Sequence, residues 1–188
     1  RGTLTSQAKT KVGNRRCEGL LREAELWWAT ATSVVPTDVA KELEELWKEV
    51  LLQQFHDIIP GSSITWVYED SEAAHARVAE RAEVLIAQAL ALVAPIGLSL
   101  ANASSVGRAE VVALAPTSAV SGGQQLHDGS MAAFVDVPAL GVAPLRSAPI
   151  DDHVAVTERS FTNRFVSVSW NLDGDITSII DVVAGREL

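Results

Sequence analysis

Cysteine is almost missing from this 188-residue chain, and the single thiol at Cys17 has no partner for an intramolecular disulfide. The fold must therefore be held by burial and hydrogen bonding, and a reducing, cytoplasmic setting is the expectation. Cations are also in deficit: 15 Lys and Arg against 24 Asp and Glu give a formal charge of −9. That charge repels phosphate backbones and leaves no basic stripe, so nucleic acid is excluded as an expected partner. Long apolar runs are lacking too. The longest, Val84 to Leu100, is interrupted by Gln88, Pro95 and Gly97 and falls short of the roughly twenty residues a bilayer span needs, so no membrane helix is expected. Neither an initiator methionine nor a basic-then-apolar leader stands at Arg1, and the chain reads as a piece excised from a longer one.

What the chain does have is hydrophobic patterning. At 47% hydrophobic and 21% charged residues it can build one ordinary domain or two small ones. Up to about residue 95 the spacing is helical. Leu20, Leu21, Ala24, Trp27, Trp28 and Ala31 share one face, with Arg15, Arg16, Glu18, Arg22 and Glu25 on the wet side, and Pro36 is expected to end this helix. Thr37 then caps a second helix with Val39, Leu43, Leu46, Trp47, Val50 and Gln54 on one stripe. Its acidic run, Glu42, Glu44, Glu45 and Glu49, reads as a solvated face paired with Lys41 and Lys48. A third helix runs from between Ser63 and Ser71 to about Val93 through Ala74, Val78, Arg81 or Ala82, Leu85, Ala89 and Leu92. Three such stripes bury against one another, with Trp27, Trp28 and Trp47 in the core.

From Pro95 onward the pattern changes to short apolar runs separated by Gly, Pro, Asn and Ser. Candidate strands are Ile96–Ala101, Glu110–Leu114, Met131–Val137 and Ala155–Thr157. Val166, Val168, Trp170 and Leu172 alternate with polar residues before Asp173-Gly174 turns the chain into Ile176–Val182. Helices followed by hairpins give an α+β fold in two segregated parts. The expected architecture is a three-helix bundle over residues 1–95, then a partial antiparallel β-sandwich over residues 96–188.

The chemistry concentrates in Gln53-Gln54-Phe55-His56-Asp57-Ile58-Ile59-Pro60-Gly61-Ser62-Ser63. An imidazole and a carboxylate stand side by side where Pro60 stops the helix and Gly61 permits a close approach. Both are zinc or sugar ligands by type. Equally, the histidine could be satisfied by backbone groups and the aspartate could cap the next segment, and spacing does not choose.

This string, with Leu46-Trp47-Lys48-Glu49-Val50-Leu51-Leu52 ahead of it, closely resembles a signature of the glycoside hydrolase family thirty-eight α-mannosidases. The opening Arg1-Gly2-Thr3-Leu4-Thr5-Ser6-Gln7-Ala8-Lys9-Thr10-Lys11, with Gly13-Asn14-Arg15-Arg16 and Glu23-Ala24-Glu25-Leu26-Trp27, is similar to the segment leading out of that family's catalytic domain. Asp173-Gly174-Asp175-Ile176 to Asp181, and Gly185-Arg186-Glu187, resemble the first strands of its C-terminal β region. Leu4 stands where an aromatic residue is common, and Gln53 where asparagine is.

The resemblance implies a three-helix middle domain and the start of the β region of a retaining exo-α-mannosidase acting on mannose-terminated glycans or oligosaccharides. Its two catalytic carboxylates belong to a missing N-terminal catalytic domain, so no catalytic residue is expected in this segment. It further implies His56 as one zinc ligand and Asp57 as a hydrogen-bond acceptor for sugar hydroxyls, the remaining ligands coming from that domain. The segment alone is expected to be inactive.

Other features carry less. His75, His127 and His153 lack ligand-spaced partners and read as solvated. Trp66 could border a sugar site or anchor a helix face, Ser62-Ser63 reads as a turn capping the third helix, and Cys17 reads as a small core residue. Two rivals remain open on composition alone: a helical interaction module docking through exposed tryptophans, and a carbohydrate-binding β domain with a helical preface.

Overall fold

The apolar stripes at helical spacing form three helices in a computed structural model that describes residues 6–94, 97–116, 120, 122–146 and 154–188. They are α1 (Ala8–Ala31), α2 (Thr37–Gln53) and α3 (Thr65–Val93). Surface ion pairs report their directions. Lys9 meets Glu72 at 3.8 Å and Arg16 meets Glu83 at 2.6 Å, in rising order on both helices, so α1 and α3 are parallel. Glu42 pairs with Arg81 and Glu49 with Arg77, in opposite order, so α2 runs against α3. Such exposed pairs add little stability each.

Stability comes from the seam. Leu21, Ala24, Trp27 and Trp28 of α1, Val39, Leu43, Leu46 and Val50 of α2, and Val78, Ala82, Leu85 and Ala89 of α3 form one buried cluster. Each large side chain there contributes roughly 1.5–3 kcal/mol. Trp27 Nε1 donates to Glu23 at 3.0 Å and the half-buried Trp47 donates to Glu25 at 2.9 Å, so these indoles are part of the core. An interaction module presenting them to a partner is not what this chain builds. Cys17 is fully buried, its thiol donating to the His75 carbonyl at 3.3 Å, and burial pushes its pKa up.

The helix ends depart from the expectation. α1 stops at Ala31, well before Pro36, and Pro36 is itself the N-cap of α2, with Thr37 the first helical residue and no side-chain cap. Proline lacks the N–H that a helix start leaves unpaired anyway, and Asp38 in the first turn complements the dipole. Ile64, not a serine, caps α3, and the Ser63 amide donates instead to the Tyr68 hydroxyl one turn on.

The β part is antiparallel throughout the pairings described: β1 (Ser99–Asn102), β2 (Arg108–Leu114), β3 (Gln124–Gln125), β4 (Met131–Val137), β5 (Gly141–Pro144), β6 (Ala155–Val156), β7 (Ser160–Thr162), β8 (Val166–Trp170), β9 (Ile176–Asp181) and β10 (Arg186–Glu187). Among the described residues they form sheets ordered β1-β5, β2-β4-β3 and β10-β9-β8-β7-β6, all linear and open-edged. The fold is thus α+β: a three-helix bundle followed by an antiparallel β region that does not close. Ile96 of the first expected strand lies outside the described residues, and the strand begins at Ser99. The strand of β8 ends at Trp170 rather than Leu172, because the Asn171 side-chain oxygen accepts from the amides of Asp173 (3.0 Å) and Asp175 (2.9 Å) and starts the turn there. Gly174, at φ 88°, completes it. In register across the sheet, Phe161, Val168 and Ile179 share the more apolar face, while Ser160, Ser169 and Ser178 share the other.

Contacts group residues 1–108 with 136–145 as one unit and 109–135 with 146–188 as a second. In the first unit, Ala103 and Val142 pack on the helical core. Asn102 Nδ2 donates to the carbonyls of Val106 (2.9 Å) and Pro138 (3.0 Å).

His75 overturns its expected solvation: it is only 4% exposed, in the α1–α3 seam. Gly13 makes the space, since a Cβ there would lie 2.7 Å from His75 Nδ1. Burial holds the imidazole pKa below its ordinary 6.5, against the opposing pull of the Glu49 carboxylate. Because the folded form resists protonation more than the unfolded chain does, the stability tied to neutral His75 is present above about pH 6.5 and is lost as pH falls below it. Between about pH 7 and about 5.5 the helical unfolding transition of the wild type should weaken more than that of His75→Leu. Equal slopes in urea titrations followed by helical circular dichroism would contradict this.

Candidate functional site

The loop between α2 and α3 begins where Gln54 caps α2, with its side chain turned to α1. Gln54 Nε2 donates to Asn14 Oδ1 at 3.0 Å and to Glu18 Oε1 at 2.9 Å. A compact turn follows. The amides of Ile58 (2.8 Å) and Ile59 (3.1 Å) donate to the Phe55 carbonyl, and that of Gly61 donates to Ile58 at 3.1 Å. Pro60, having no N–H, cannot extend the helix through this turn. The far side of the turn is tied to the start of α1: Ser6 Oγ donates to the Gly61 carbonyl at 3.3 Å, and Lys11 Nζ donates to the Pro60 carbonyl at 3.4 Å and to the Ser6 carbonyl. The loop is thereby bracketed on both sides by residues of one chain segment.

His56 and Asp57 lie inside this bracket and point outward. Their side chains are 75% and 59% exposed, with His56 Nε2 3.4 Å from Asp57 Oδ2. Phe55 packs its ring against the imidazole, centroids 4.2 Å apart. Neither residue is taken up by the core, and the imidazole is not sealed by the backbone. Around them Leu51, Leu52, Phe55 and Ile64 are exposed, and Trp66 is 73% exposed. Trp66 is therefore no helix-face anchor; with Ile64 and Thr65 it lines a shallow cleft of about 280 Å³. Such a run of large apolar side chains at one end of a bundle is characteristic of a surface that something covers.

The donor types suit a borderline ion such as zinc, which takes imidazole and carboxylate ligands. The set is partial. Among the described residues no group of three or more His, Cys, Asp and Glu side chains could hold a metal. His56 and Asp57 thus offer at most two of the three or four protein donors that zinc takes. His127 is exposed and isolated from this loop in sequence, while His153 lies outside the described residues.

Comparison with known proteins agrees with this layout. A family model described as the alpha mannosidase middle domain matches residues 1–93, the three helices and the loop between them. A human protein named Alpha-mannosidase 2C1 is 33% identical over 99% of this chain. The chain belongs to the glycoside hydrolase family thirty-eight α-mannosidases. Within them it is a middle and C-terminal segment: it spans 19% of the human protein. Alpha-mannosidase G of Dictyostelium discoideum is 43% identical over 48% of this chain and 8% of its own length. An alpha-mannosidase of Saccharomyces cerevisiae is 49% identical over 37% of this chain and 7% of its own length.

Sequence reasoning singled out the exposed pair but not what holds it. Ser6 and Lys11 sat within the opening stretch that resembles the family, without a role. A signal was available: Lys11, Asn14 and Glu18 recur at three and four on α1, a polar stripe along its wet side. Gly61 is the tightest point of the mannosidase loop. Its φ is +93°, and a Cβ there would sit 2.6 Å from Ser6 Oγ. Gly61→Ala should cost about 1–3 kcal/mol, read as a lower midpoint in urea unfolding of the helices. A midpoint equal to wild type would show that the loop does not need this close approach.

Proposed function

We propose that this segment contributes His56 as a zinc ligand and Asp57 as an acceptor for sugar hydroxyls in a retaining exo-α-mannosidase that removes terminal α-mannose from glycans or oligosaccharides. The observation that carries the reading is an imidazole and a carboxylate held outward, side by side, on a braced loop inside the matched middle domain. An exposed imidazole retains a free nitrogen for a metal, and an ionised carboxylate gives charge-assisted hydrogen bonds that reject sugars with misplaced hydroxyls. When bound, zinc would supply positive charge that orients the hydroxyls of the terminal sugar.

The catalytic carboxylates and the remaining ligands come from the part of the parent enzyme outside this chain. The exposed Leu51, Leu52 and Ile64 favour that arrangement, since aliphatic side chains bury against protein rather than stack on sugar rings. On this reading residues 1–95 are the middle domain, residues 96–188 open the β-sandwich domain, and the parent, with its lone cysteine in this stretch, is of the cytoplasmic type.

In the parent enzyme His56→Ala should lower zinc affinity by more than the roughly 10–100-fold typical of residues outside the coordination shell, with mannosidase activity falling alongside. Full zinc content by metal analysis in that variant would refute the assignment. The 188-residue chain alone should bind zinc weakly and hydrolyse no mannoside. Metal-dependent release of mannose by it would show that the site is complete without the rest of the parent.

A further inference from the structure

We infer that Lys11 is a positioning residue for the His56–Asp57 pair, acting with Ser6 as a clamp that fixes the loop on α1; this rests on the mannosidase reading above. The half-buried Lys11 ammonium bridges two backbone carbonyls, those of Ser6 and Pro60, and among the described residues it forms no salt bridge with a carboxylate. Pro60 lies four residues beyond His56, and its neighbour Gly61 takes the Ser6 hydroxyl on its carbonyl at 3.3 Å. On the other side of the pair, Gln54 is held by Asn14 and Glu18, so Lys11 supplies the second of two fixed ends for a seven-residue span, 54–60.

The backbone is bent to make this possible. Gln7, between the two clamp residues, sits at φ 51° and ψ 53°, a left-handed conformation that a side chain such as glutamine seldom adopts, and it is the N-cap of α1. Strain of this kind persists only where the surrounding structure fixes it. Here it aims the Ser6 carbonyl at the Lys11 ammonium while the Ser6 hydroxyl faces Gly61. An ammonium on a long stem suits this job, being a compact donor with three N–H bonds. The positive charge strengthens the ammonium's bonds to these carbonyls, the one to Pro60 being long at 3.4 Å and the one to Ser6 short. Without them, the exposed pair would keep its chemistry and lose its place.

The test compares the zinc-loaded parent enzyme with its Lys11→Met, Lys11→Arg, Lys9→Met and His56→Ala variants. The measurements are zinc release to a chromophoric chelator, the kcat and KM for a mannoside, amide exchange at Ile58, Ile59 and Gly61, and helical melting. Lys11→Met should release zinc roughly tenfold faster and raise amide exchange at those three positions, with helical melting little changed. Lys11→Arg should restore much of both, and Lys9→Met, whose side chain faces Glu72 instead, should match wild type. Wild-type zinc release and exchange in Lys11→Met, beside a His56→Ala enzyme that loses its metal, overturns the inference alone. So does a Lys11→Met enzyme whose helices melt early in proportion to its zinc loss and that Arg does not rescue, since that marks a purely structural lysine. A His56→Ala enzyme that keeps its zinc overturns the mannosidase site and this inference together.

Discussion

A side chain that stays open to solvent cannot be held in place by its own burial. That constraint organises the helical part of this chain. His56 and Asp57 are largely exposed, so their positions depend chiefly on the backbone on either side, and that backbone is held by α1. Gln54 is gripped by Asn14 and Glu18, while Pro60 and Gly61 are gripped by Lys11 and Ser6. The bonds fall on main-chain atoms or on residues flanking the pair, which leaves the imidazole and carboxylate free for chemistry.

The bundle supplies the rigid base for those bonds. α1 is locked to α2 and α3 through Leu21, Trp27, Val50, Val78 and Leu85, each at or near complete burial. The start of α1 and the end of α2 lie together because α2 runs against both neighbours. Even the buried His75 has a part in this seam: Gly13 opposite it withdraws a side chain, and the imidazole fills the space at the expense of acid stability. Among the described residues, Leu51, Leu52, Phe55, Ile64 and Trp66 are left exposed at this end of the bundle, as expected of a segment that spans a small share of its relatives.

Much of this was legible in the sequence because it depends on period. Stripes at three and four placed the helices and their core, and the alternation around Val168 with Asp173-Gly174 placed the principal hairpin. What escaped depends on contacts between distant residues. Burial of His75 follows from a glycine 62 positions earlier, which no local pattern reveals. Exposure of Trp66 depends on what the third helix does not pack against. The short strands Gln124–Gln125, Gly141–Pro144, Ser160–Thr162 and Arg186–Glu187 carry too few residues to alternate, and pairing alone defines them. The donor role of His56 was suggested only by family resemblance, since side-by-side His and Asp at a helix end suit a cap as well as a ligand. The outward orientation on a braced loop gives that resemblance a physical counterpart.

Under the proposed function, His56 is exposed so that it can bind a metal. Crystals of the parent enzyme grown with zinc, measured on either side of the zinc absorption edge, address it directly. The expected result is an anomalous peak about 2.0–2.1 Å from a ring nitrogen of His56, with the loop braced on Lys11 and Ser6 as described. A zinc site elsewhere in the enzyme, with the His56 imidazole bonded only to solvent or to Asp57, would contradict it.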